Sequence, residues 1–335
     1  MMARRISAHT GSAGTCSESV GPRPSAAGAN SQPAAAGLEP RVAAVIVNFR
    51  QPELTREAID SIFRSEGVSV SVCLIENAGD GQWAREIYDN EPRVDIIANP
   101  ENIGFGAACN QGIERVLAED NDFVFLLNND ATVDPQTLTL LAASSGPHSQ
   151  STSAPKILLP DGRLYAAGGV VELGRARARN RGIYETDRGQ FDRREPVDFA
   201  SACALIIPRR ALEGGIRFHE PYFLYYEDAD LCLQLRKAGF PIIYEPRARV
   251  VHHESASTPQ NRRTELLYYE TRNRIILLFR HGKGGEKAVG CVYVTCVVVV
   301  KVFSLTLRGR FGASCALLGG LIDGLRGRAG RRPLE

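Results

Sequence analysis

The stretch FVFLLNNDATVDP, residues 123–135, decides the fold. Five apolar residues in succession are typical of a strand that is buried on both faces, as in a parallel sheet covered by helices. Asn128, Asn129 and Asp130 then follow without any gradual change in polarity. Because such side chains need water, a partner or a metal, the stretch predicts that this strand ends at a functional crevice.

Short apolar strands alternate with amphipathic helices along the chain on the N-terminal side of this stretch. Alternation of this kind is typical of a largely parallel sheet with helices on both faces. We therefore expect an α/β fold with a Rossmann-like, mostly parallel central sheet. The predicted elements are strands at 42–47, 70–75, 94–97 and 123–127, and helices at 52–65, 82–89 and 106–118.

Polar side chains follow all four predicted strands. In an open α/β sheet the ligand binds outside the carboxyl ends of the strands. Asn and Asp are also common in turns, so one such loop would be weak evidence, whereas four together favour a binding crevice. The residues are Asn48, Phe49 and Arg50; Glu76 and Asn77; Asn99, Pro100, Glu101 and Asn102; and Asn128, Asn129 and Asp130.

An acidic cluster begins a predicted helix in YFLYYEDADLCLQLRKAGF, residues 222–240. Glu227, Asp228 and Asp230 would complement the helix macrodipole there, which is one sufficient explanation. The aromatic run before them is hydrophobic, however, and a carboxylate beside apolar walls can be tuned toward the role of a general base. The cluster is therefore also a candidate catalytic site.

Two histidines, His252 and His253, follow a predicted strand at 242–251. Alternation along a strand sends neighbouring side chains to opposite faces, so we expect one of them to face the crevice. A neutral imidazole can serve as a metal ligand, although a histidine hydrogen-bonded in a turn is the alternative. Asp130 would supply the hard oxygen ligand that Mg²⁺ or Mn²⁺ favours.

Composition excludes some classes of protein. The formal net charge of +2 gives no overall field that would attract nucleic acid. The eight cysteines lack the spacing of a zinc site or a disulfide framework, which predicts reduced thiols in the cytoplasm. Residues 1–39 are rich in Ala, Gly, Ser and Pro and contain no apolar segment, so we expect disorder and no secretory signal.

The C-terminal part is apolar and then basic. Residues 288–307 are about as long as one membrane span, but Lys301 and several hydroxyls interrupt them. Residues 301–335 carry seven Lys or Arg against two acids, which suits a surface of anionic lipid. Three interpretations stay open: a spanning helix, peripheral attachment to the cytoplasmic face of the membrane, which we favour over spanning, and an ordinary core helix with a solvated tail.

With these residues assembled, the chain resembles the family 2 glycosyltransferases of the GT-A fold, particularly the bacterial rhamnosyltransferase-like branch. The matching pieces occur in the family's order over roughly residues 42–280. They are VAAVIVNF, CLIENAGDG, NPENIGFGAACNQGI, FLLNNDATVDP, SACALIIPRRAL, YFLYYEDADLCLQLRKAGF, VVHHESAS and YYETRNRIILL.

The resemblance implies an inverting enzyme that moves a sugar, such as rhamnose, from a nucleotide-diphosphate donor to a hydroxyl of a glycan or lipid-linked saccharide in cell-surface polysaccharide synthesis. It implies Mg²⁺ or Mn²⁺ bound by Asp130 and His252, since the family's H-x-x-x-x-S spacing runs from His252 to Ser257. Asp228 matches the catalytic base, and Glu227 is the other member of that Glu-Asp pair. The implied donor-binding residues are Asn48, Phe49, Glu76, Asn77, Asn102, Gly104, Asn128 and Asn129.

Two residues depart from the family pattern. Glu76 replaces the more usual Asp, which leaves the identity of the donor open. Asn128 replaces the first Asp of a strict DxD, so the metal site carries less negative charge.

The resemblance also implies a division of the chain and leaves two other functions open. We expect a transferase domain at 40–280, with a nucleotide-sugar half at about 40–135 and an acceptor and catalytic half at about 150–260, followed by a hydrophobic and basic extension at 281–335. A non-catalytic nucleotide-sugar binding protein and a sugar-1-phosphate nucleotidyltransferase are the alternatives. The latter normally has a Gly- and Arg/Lys-rich loop after the first strand, which VNFRQPEL lacks.

Overall fold

Four parallel strands form the half of the sheet that carries the predicted crevice. The computed structural model describes residues 39–146, 150–253 and 260–332, and it describes side chains throughout these ranges except at 260–263. The predicted disorder of residues 1–39 therefore lies outside the described residues, apart from Glu39. The four strands, which lie in the order β3-β2-β1-β4, are β1 Arg41–Asn48, β2 Ser69–Asn77, β3 Val94–Asn99 and β4 Phe123–Asn128.

Helices cover both faces of these strands, which confirms the α/β prediction. Val45 and Ile75 pack into the core on one face, and Ile46 and Leu74 into the core on the other. Gly112 lets its helix lie directly on the sheet, since a Cβ there would be 2.5 Å from Val45 Cγ1. The helices are α1 Pro52–Phe63, α2 Gln82–Tyr88 and α3 Phe105–Leu117.

The second half of the chain extends the same sheet with mixed strand directions. The sheet continues from β4 through β11, β6 and β12 to β10, and β11 is antiparallel to both of its neighbours. The further strands are β5 Ala131–Val133, β6 Thr152–Leu158, β7 Leu164–Ala166, β8 Gly169–Glu172, β9 Arg177–Asn180, β10 Glu195–Val197, β11 Ala204–Pro208 and β12 Ile242–His252. The helices among them are α4 Thr137–Ser144, α5 Arg209–Glu213 and α6 Glu227–Lys237.

Two strand pairings bring distant residues to the carboxyl edge of β4. Strand β12 runs antiparallel to β5 and opposes His252 to Ala131. Strand β11 runs antiparallel to β4, so the segment just before it, residues 201–203, lies where β4 ends. The sheet thus collects segments from both halves of the chain at one edge.

The last helices of the described chain are α7 Gln260–His281, α8 Gly285–Leu307 and α9 Phe311–Leu325, of which α8 and α9 lie within the extension expected at 281–335. A small core of its own joins them and includes Ile275, Leu278, Val294 and Leu317. Helix α9 lies very close to α7, since a Cβ on Gly320 would be 2.5 Å from the carbonyl oxygen of Tyr268. The predicted boundary at residue 280 falls at the end of α7, and the division into domains stays a prediction.

Candidate active site

A cavity of about 720 Å³, which we call the first cavity, opens at the carboxyl edge of the four parallel strands. Its volume is typical of a pocket for a small ligand. Seven of the predicted site residues line it: Phe49, Asn77, Asn102, Gly104, Asn128, Asn129 and Asp130.

Asn48 and Glu76 are not among the residues that line the first cavity. Asn48 Nδ2 donates a hydrogen bond of 2.7 Å to Glu76 Oε2, and Trp83 Nε1 donates one of 2.6 Å to the same oxygen. Thr55 Oγ1 donates to Asn48 Oδ1 at 2.9 Å. Both side chains are buried and hold the ends of β1 and β2 together, and their contact with a donor stays a prediction. Trp83 leaves no signal of this contact in the sequence, because no spacing connects it with Glu76.

Amide side chains shape the loop between β3 and α3. Asn77 Nδ2 donates to Asn102 Oδ1 at 3.1 Å, and the Gly104 N–H donates to the same oxygen at 2.8 Å. Gly104 has φ +96°, and a Cβ there would be 3.0 Å from the carbonyl oxygen of Phe223. Glycine is therefore required at this position, where the backbone of a second loop approaches closely.

His252 and Asp130 form a buried pair. The distance from His252 Nε2 to Asp130 Oδ1 is 3.1 Å, and Asn128 Nδ2 lies 3.5 Å from the same ring nitrogen. Burial opposes protonation of His252, but Cys203 and the Asp130 carboxylate outweigh it and raise the pKa of the imidazole to about 11. His253 is exposed, and its N–H donates to the Asp130 carbonyl oxygen at 2.8 Å. Thus His252, and not His253, turns its side chain to Asp130, while Ser257 of the family spacing lies outside the described residues.

The Asp130–His252 pair fits a divalent cation. Carboxylate oxygen and imidazole nitrogen suit Mg²⁺ or Mn²⁺, which often takes one or two protein ligands and completes its shell with phosphate and water. Because an imidazole must be neutral to bind a metal, the cation would displace the proton that the raised pKa keeps on His252. The described part of the chain contains no group of three or more His, Cys, Asp or Glu side chains that could hold a metal. The pair would therefore supply two ligands and leave the other positions to a phosphorylated ligand.

Asp228 lines a second cavity of about 350 Å³. Burial raises the pKa of this carboxyl, although the Ala229 N–H donates to Asp228 Oδ1 at 2.8 Å. Burial also raises the pKa of Glu227, and the neighbouring Asp228 charge adds to the effect. Among the described residues Glu227 Oε2 is a buried oxygen without a hydrogen-bond partner. Raised pKa values near neutrality suit a group that accepts a proton.

The two cavities adjoin. Tyr225 and Leu266 line both of them. Tyr165 lines the second cavity and also packs edge-on against His252, with ring centroids 4.5 Å apart. Asp130 and Asp228 therefore lie on the walls of adjoining cavities, and Tyr165 of the second cavity contacts His252.

Backbone hydrogen bonds in residues 201–203 give a second connection between these walls. The Asn128 N–H donates to the Cys203 carbonyl oxygen at 2.8 Å, and the backbone of Ala202 hydrogen-bonds the Asp228 carboxylate. One short segment therefore contacts both the end of β4 and the candidate base.

The loop of residues 222–226, which we call the aromatic loop, separates the two cavities in a strained conformation. Phe223, Tyr225 and Tyr226 all have φ between 64° and 70°, which costs about 1 to 3 kcal/mol for each non-glycine residue. Asn273 Nδ2 of α7 donates to the carbonyl oxygens of Tyr222, Leu224 and Tyr225 at 2.7 to 3.0 Å. Such strain persists because the surrounding contacts hold the loop, as is common at functional sites.

Arg272 and Arg274 of α7 hold neighbouring loops in place. Both side chains are buried. Arg272 Nη2 donates to the Tyr222 carbonyl oxygen at 2.8 Å, and Arg274 Nε donates to the Ala176 carbonyl oxygen at 2.8 Å. Each guanidinium supports a loop by binding main-chain oxygens, a contact that only the tertiary structure shows.

Asp230, the third acid of the cluster, docks α6 on α7. The carboxylate is fully buried and accepts hydrogen bonds of 2.7 Å from Arg280 Nε and 2.6 Å from His281 Nε2. Burial tends to raise the pKa of Asp230, but His281 and Arg280 outweigh it and lower the pKa. Of the three acids, Asp228 lines the second cavity, Glu227 is buried next to it in the chain, and Asp230 has a structural role.

Comparison with solved structures identifies the fold as that of the GT-A glycosyltransferases. A mannosyltransferase from Pyrobaculum calidifontis, solved with GDP-Man and Mn²⁺, has a TM-score of 0.55 at 12% identity, over 86% of this chain and 88% of its own. GalNAc-T7, solved with UDP, GalNAc and Mn²⁺, has a TM-score of 0.54 at 14% identity, over 69% of this chain and 47% of its own.

The sequence comparison is more specific. The family model described as "Glycosyltransferase like family 2" matches residues 40–267, and the chain belongs to this family. It is 31% identical over 234 residues to the N-acetylglucosaminyl-diphospho-decaprenol L-rhamnosyltransferase of Mycobacterium tuberculosis, a match that covers 63% of this chain and 76% of the relative. The predicted family is therefore confirmed, and the chain is a glycosyltransferase.

Proposed function

We propose that this glycosyltransferase is metal-dependent and inverting, and that it moves a sugar such as rhamnose from a nucleotide-diphosphate donor to a hydroxyl of a lipid-linked or glycan acceptor in cell-surface polysaccharide synthesis. The observation that carries the proposal is the junction of the two cavities at Tyr225 and Leu266. Asp130 lines the first cavity and His252 lies against it, while the second cavity is lined by Asp228, a carboxyl group whose burial raises its pKa. Donor and acceptor would meet at this junction.

The reaction in this geometry is a single displacement. Asp228 accepts the proton of an acceptor hydroxyl in the second cavity as that oxygen attacks the anomeric carbon of the donor and the bond to the nucleoside diphosphate breaks. A positioned base of this kind contributes about 10² to 10⁴ in rate. A divalent cation bound by Asp130 and His252 would stabilise the charge that develops on the leaving diphosphate. Asn77 and Asn102 line the first cavity and would orient the donor.

The second cavity has the lining of a saccharide site. Tyr165, Phe199 and Tyr226 supply aromatic surface, while Arg179 and Glu270 supply polar groups. Sugars offer apolar ring faces and hydroxyls, so this mixture suits them.

The β8–β9 hairpin extends from the second cavity to α8. Arg179 and Asn180 of β9 line the cavity, while the turn of the hairpin packs on α8, where a Cβ on Gly290 would be 3.2 Å from the Leu173 carbonyl oxygen. An acceptor with its sugar in the second cavity and its lipid beside α8 fits this arrangement.

Helix α8 supports an association with the membrane. Helix α8 is, in the described part of the chain, the one helix long and apolar enough to cross a membrane, and its most apolar 18-residue window has a mean hydropathy of 2.2. Only 17% of its most apolar window is buried, which disfavours an ordinary core helix. We propose that α8 attaches the protein peripherally to the cytoplasmic face. Its large exposed apolar side chains are Val289, Val292, Val299, Val300, Phe303 and Leu307.

The test of the proposed function is a donor panel. The full chain is incubated with Mn²⁺ and UDP-GlcNAc, GDP-mannose or a nucleoside-diphosphate rhamnose, with and without a prenyl-diphosphate saccharide, and the released nucleoside diphosphate is measured. We expect release with one donor, faster with acceptor, and its loss on chelation of the metal. Binding of nucleotide sugars without hydrolysis or transfer of any of them would favour a non-catalytic binding protein instead.

A further inference from the structure

The tail that follows α9, residues 326–332, returns to the first cavity. Arg331 is one of the residues that line this cavity. The family model ends at residue 267, so the tail lies outside the part of the chain that the model matches. The tail therefore adds a side chain to a site that the matched region otherwise forms.

The main chain on both sides of Arg331 is held in place. The Gly330 N–H donates to the Pro221 carbonyl oxygen at 2.7 Å, and the Arg332 N–H donates to Tyr269 Oη at 2.9 Å. Gly330 has φ +89°, a conformation that favours glycine. Because these contacts fix the backbone, the Arg331 side chain starts from a defined position at the wall of the cavity.

One buried guanidinium joins the tail to the aromatic loop. Arg272 Nη1 donates to the Gly330 carbonyl oxygen at 2.6 Å, while Nη2 of the same side chain donates to the Tyr222 carbonyl oxygen at 2.8 Å. The Arg331 guanidinium also lies 5.9 Å from the ring centroid of Phe223. The position of the tail is thus coupled to the loop that separates the two cavities.

The charge of Arg331 is suited to a phosphorylated ligand. Among the described residues, the charged side chains that line the first cavity are three acids, Glu101, Asp130 and Glu265, and two arginines, Arg50 and Arg331. The Arg331 side chain is 49% exposed, and its Nη1 forms a long ion pair of 3.6 Å with Oε2 of the exposed Glu101. A guanidinium that is charged and open to the cavity can bind two phosphate oxygens at once.

We infer that Arg331 is a donor-binding residue that contacts the diphosphate, and that the C-terminal tail is part of the donor site. The inference rests on the proposed function, since it takes a nucleotide-diphosphate sugar as the ligand of the first cavity. The group that Arg331 would bind is the diphosphate. The affinity for inorganic pyrophosphate should therefore depend on the same contact.

The experiment compares Arg331→Ala and Arg331→Lys with wild type in the full chain. Binding of inorganic pyrophosphate, and of UDP, GDP and dTDP, is measured by calorimetry with Mn²⁺, and the donor KM and kcat are measured with the best donor of the panel. We expect Arg331→Ala to weaken diphosphate binding and raise the donor KM by about tenfold or more, as for the loss of a charge-assisted hydrogen bond. Arg331→Lys should recover part of this loss, because it keeps the charge but not the planar fork.

Arg328→Ala is the matched control. Arg328 lies in the same tail but does not line the first cavity, and its Nη1 is 3.4 Å from Asp323 Oδ1. It should retain wild-type affinity and KM. A chain that ends at Gly327 should lose as much affinity for the diphosphate as Arg331→Ala does. The point variants should keep the thermal unfolding midpoint of wild type. If Arg331→Ala keeps the wild-type affinity while wild type turns over donor, the inference alone is overturned. If wild type binds neither pyrophosphate nor any nucleoside diphosphate, both proposals fail.

Discussion

The imidazole of His252 lies 3.1 Å from the carboxylate of Asp130, because β12 runs antiparallel to β5 and opposes His252 to Ala131. The two side chains come from different halves of the chain and are both buried, and Asp130 lines the first cavity. Their distance is set by strand register, so the pair is rigid before any ligand binds. A preformed pair of this kind reduces the cost of ordering a metal–diphosphate complex.

Removal of either member of this pair should weaken metal-dependent donor binding. We expect Asp130→Asn and His252→Ala each to weaken Mn²⁺-dependent binding of the nucleoside diphosphate by about 10- to 100-fold or more. Calorimetry with Mn²⁺ and with EDTA measures the effect, and the exposed Asp134 provides the control variant Asp134→Asn. Equal affinity of Asp130→Asn and wild type in Mn²⁺ would remove the metal site from this position.

Replacement of the candidate base should separate binding from turnover. Asp228→Asn keeps the size of the side chain but cannot accept the proton, so kcat should fall by about 10² to 10⁴ while the donor affinity stays within about twofold. Glu213→Gln on α5, whose side chain is 54% exposed, is the control. Full turnover by Asp228→Asn would exclude Asp228 as the base.

The pH dependence of kcat should reveal the pKa of Asp228, which burial raises. The base must be deprotonated to act, and burial raises its pKa above the ordinary value of 3.8. Activity should therefore rise with pH along an acid limb displaced above pH 3.8, toward neutrality. Rate profiles measured with saturating donor and metal test this, and an acid limb at the ordinary carboxyl pKa would show that Asp228 is not the titrating group.

Replacement of Asp230 should lower the free energy of unfolding rather than the affinity for the donor. Asp230→Asn leaves Arg280 and His281 without their carboxylate partner, which should reduce the free energy of unfolding by roughly 2 to 4 kcal/mol. Because the folded pKa is lowered, this contribution is fully present above the ordinary pKa of 3.8 and is lost as the pH falls through the folded value. Urea unfolding at pH 7 and at acid pH measures the difference, and an unchanged midpoint at pH 7 would contradict the docking role.

The exposed face of α8 should determine attachment to lipid. Val300 and Phe303 are 68% and 67% exposed, and their replacement by Asp should lower the fraction that floats with anionic liposomes by about tenfold or more per site. Ile87→Asp, at an apolar side chain that is 45% exposed on α2, is the control for a general loss of surface hydrophobicity. Flotation of Phe303→Asp equal to wild type would show that this face does not contact lipid.

Local patterns were sufficient to predict much of the fold. The apolar run before Asn128, and the helix periods between the strands, predicted the parallel half of the sheet, and the polar residues after the strands predicted its ligand-binding edge. These features depend on neighbours along the chain: alternation of strand and helix dictates parallel pairing, and parallel pairing places the strand ends together.

Other features of the candidate site depend on contacts between distant segments. Trp83 reaches Glu76, Arg272 joins the aromatic loop to Gly330, and Arg331 enters the first cavity from the end of the chain. None of these contacts leaves a local pattern, because the identity of a residue does not show whether its side chain is buried or which distant residue it contacts.

The sequence by itself determined the class of fold, the edge of the sheet that carries the site, and the residue types available there. Only the tertiary structure showed that His252 contacts Asp130 while His253 is exposed, that Asp228 lines the second cavity, and that Arg331 of the tail lines the first. The physical reason is that periodicity records which face of an element is buried, whereas partner choice across the core depends on packing and strand register.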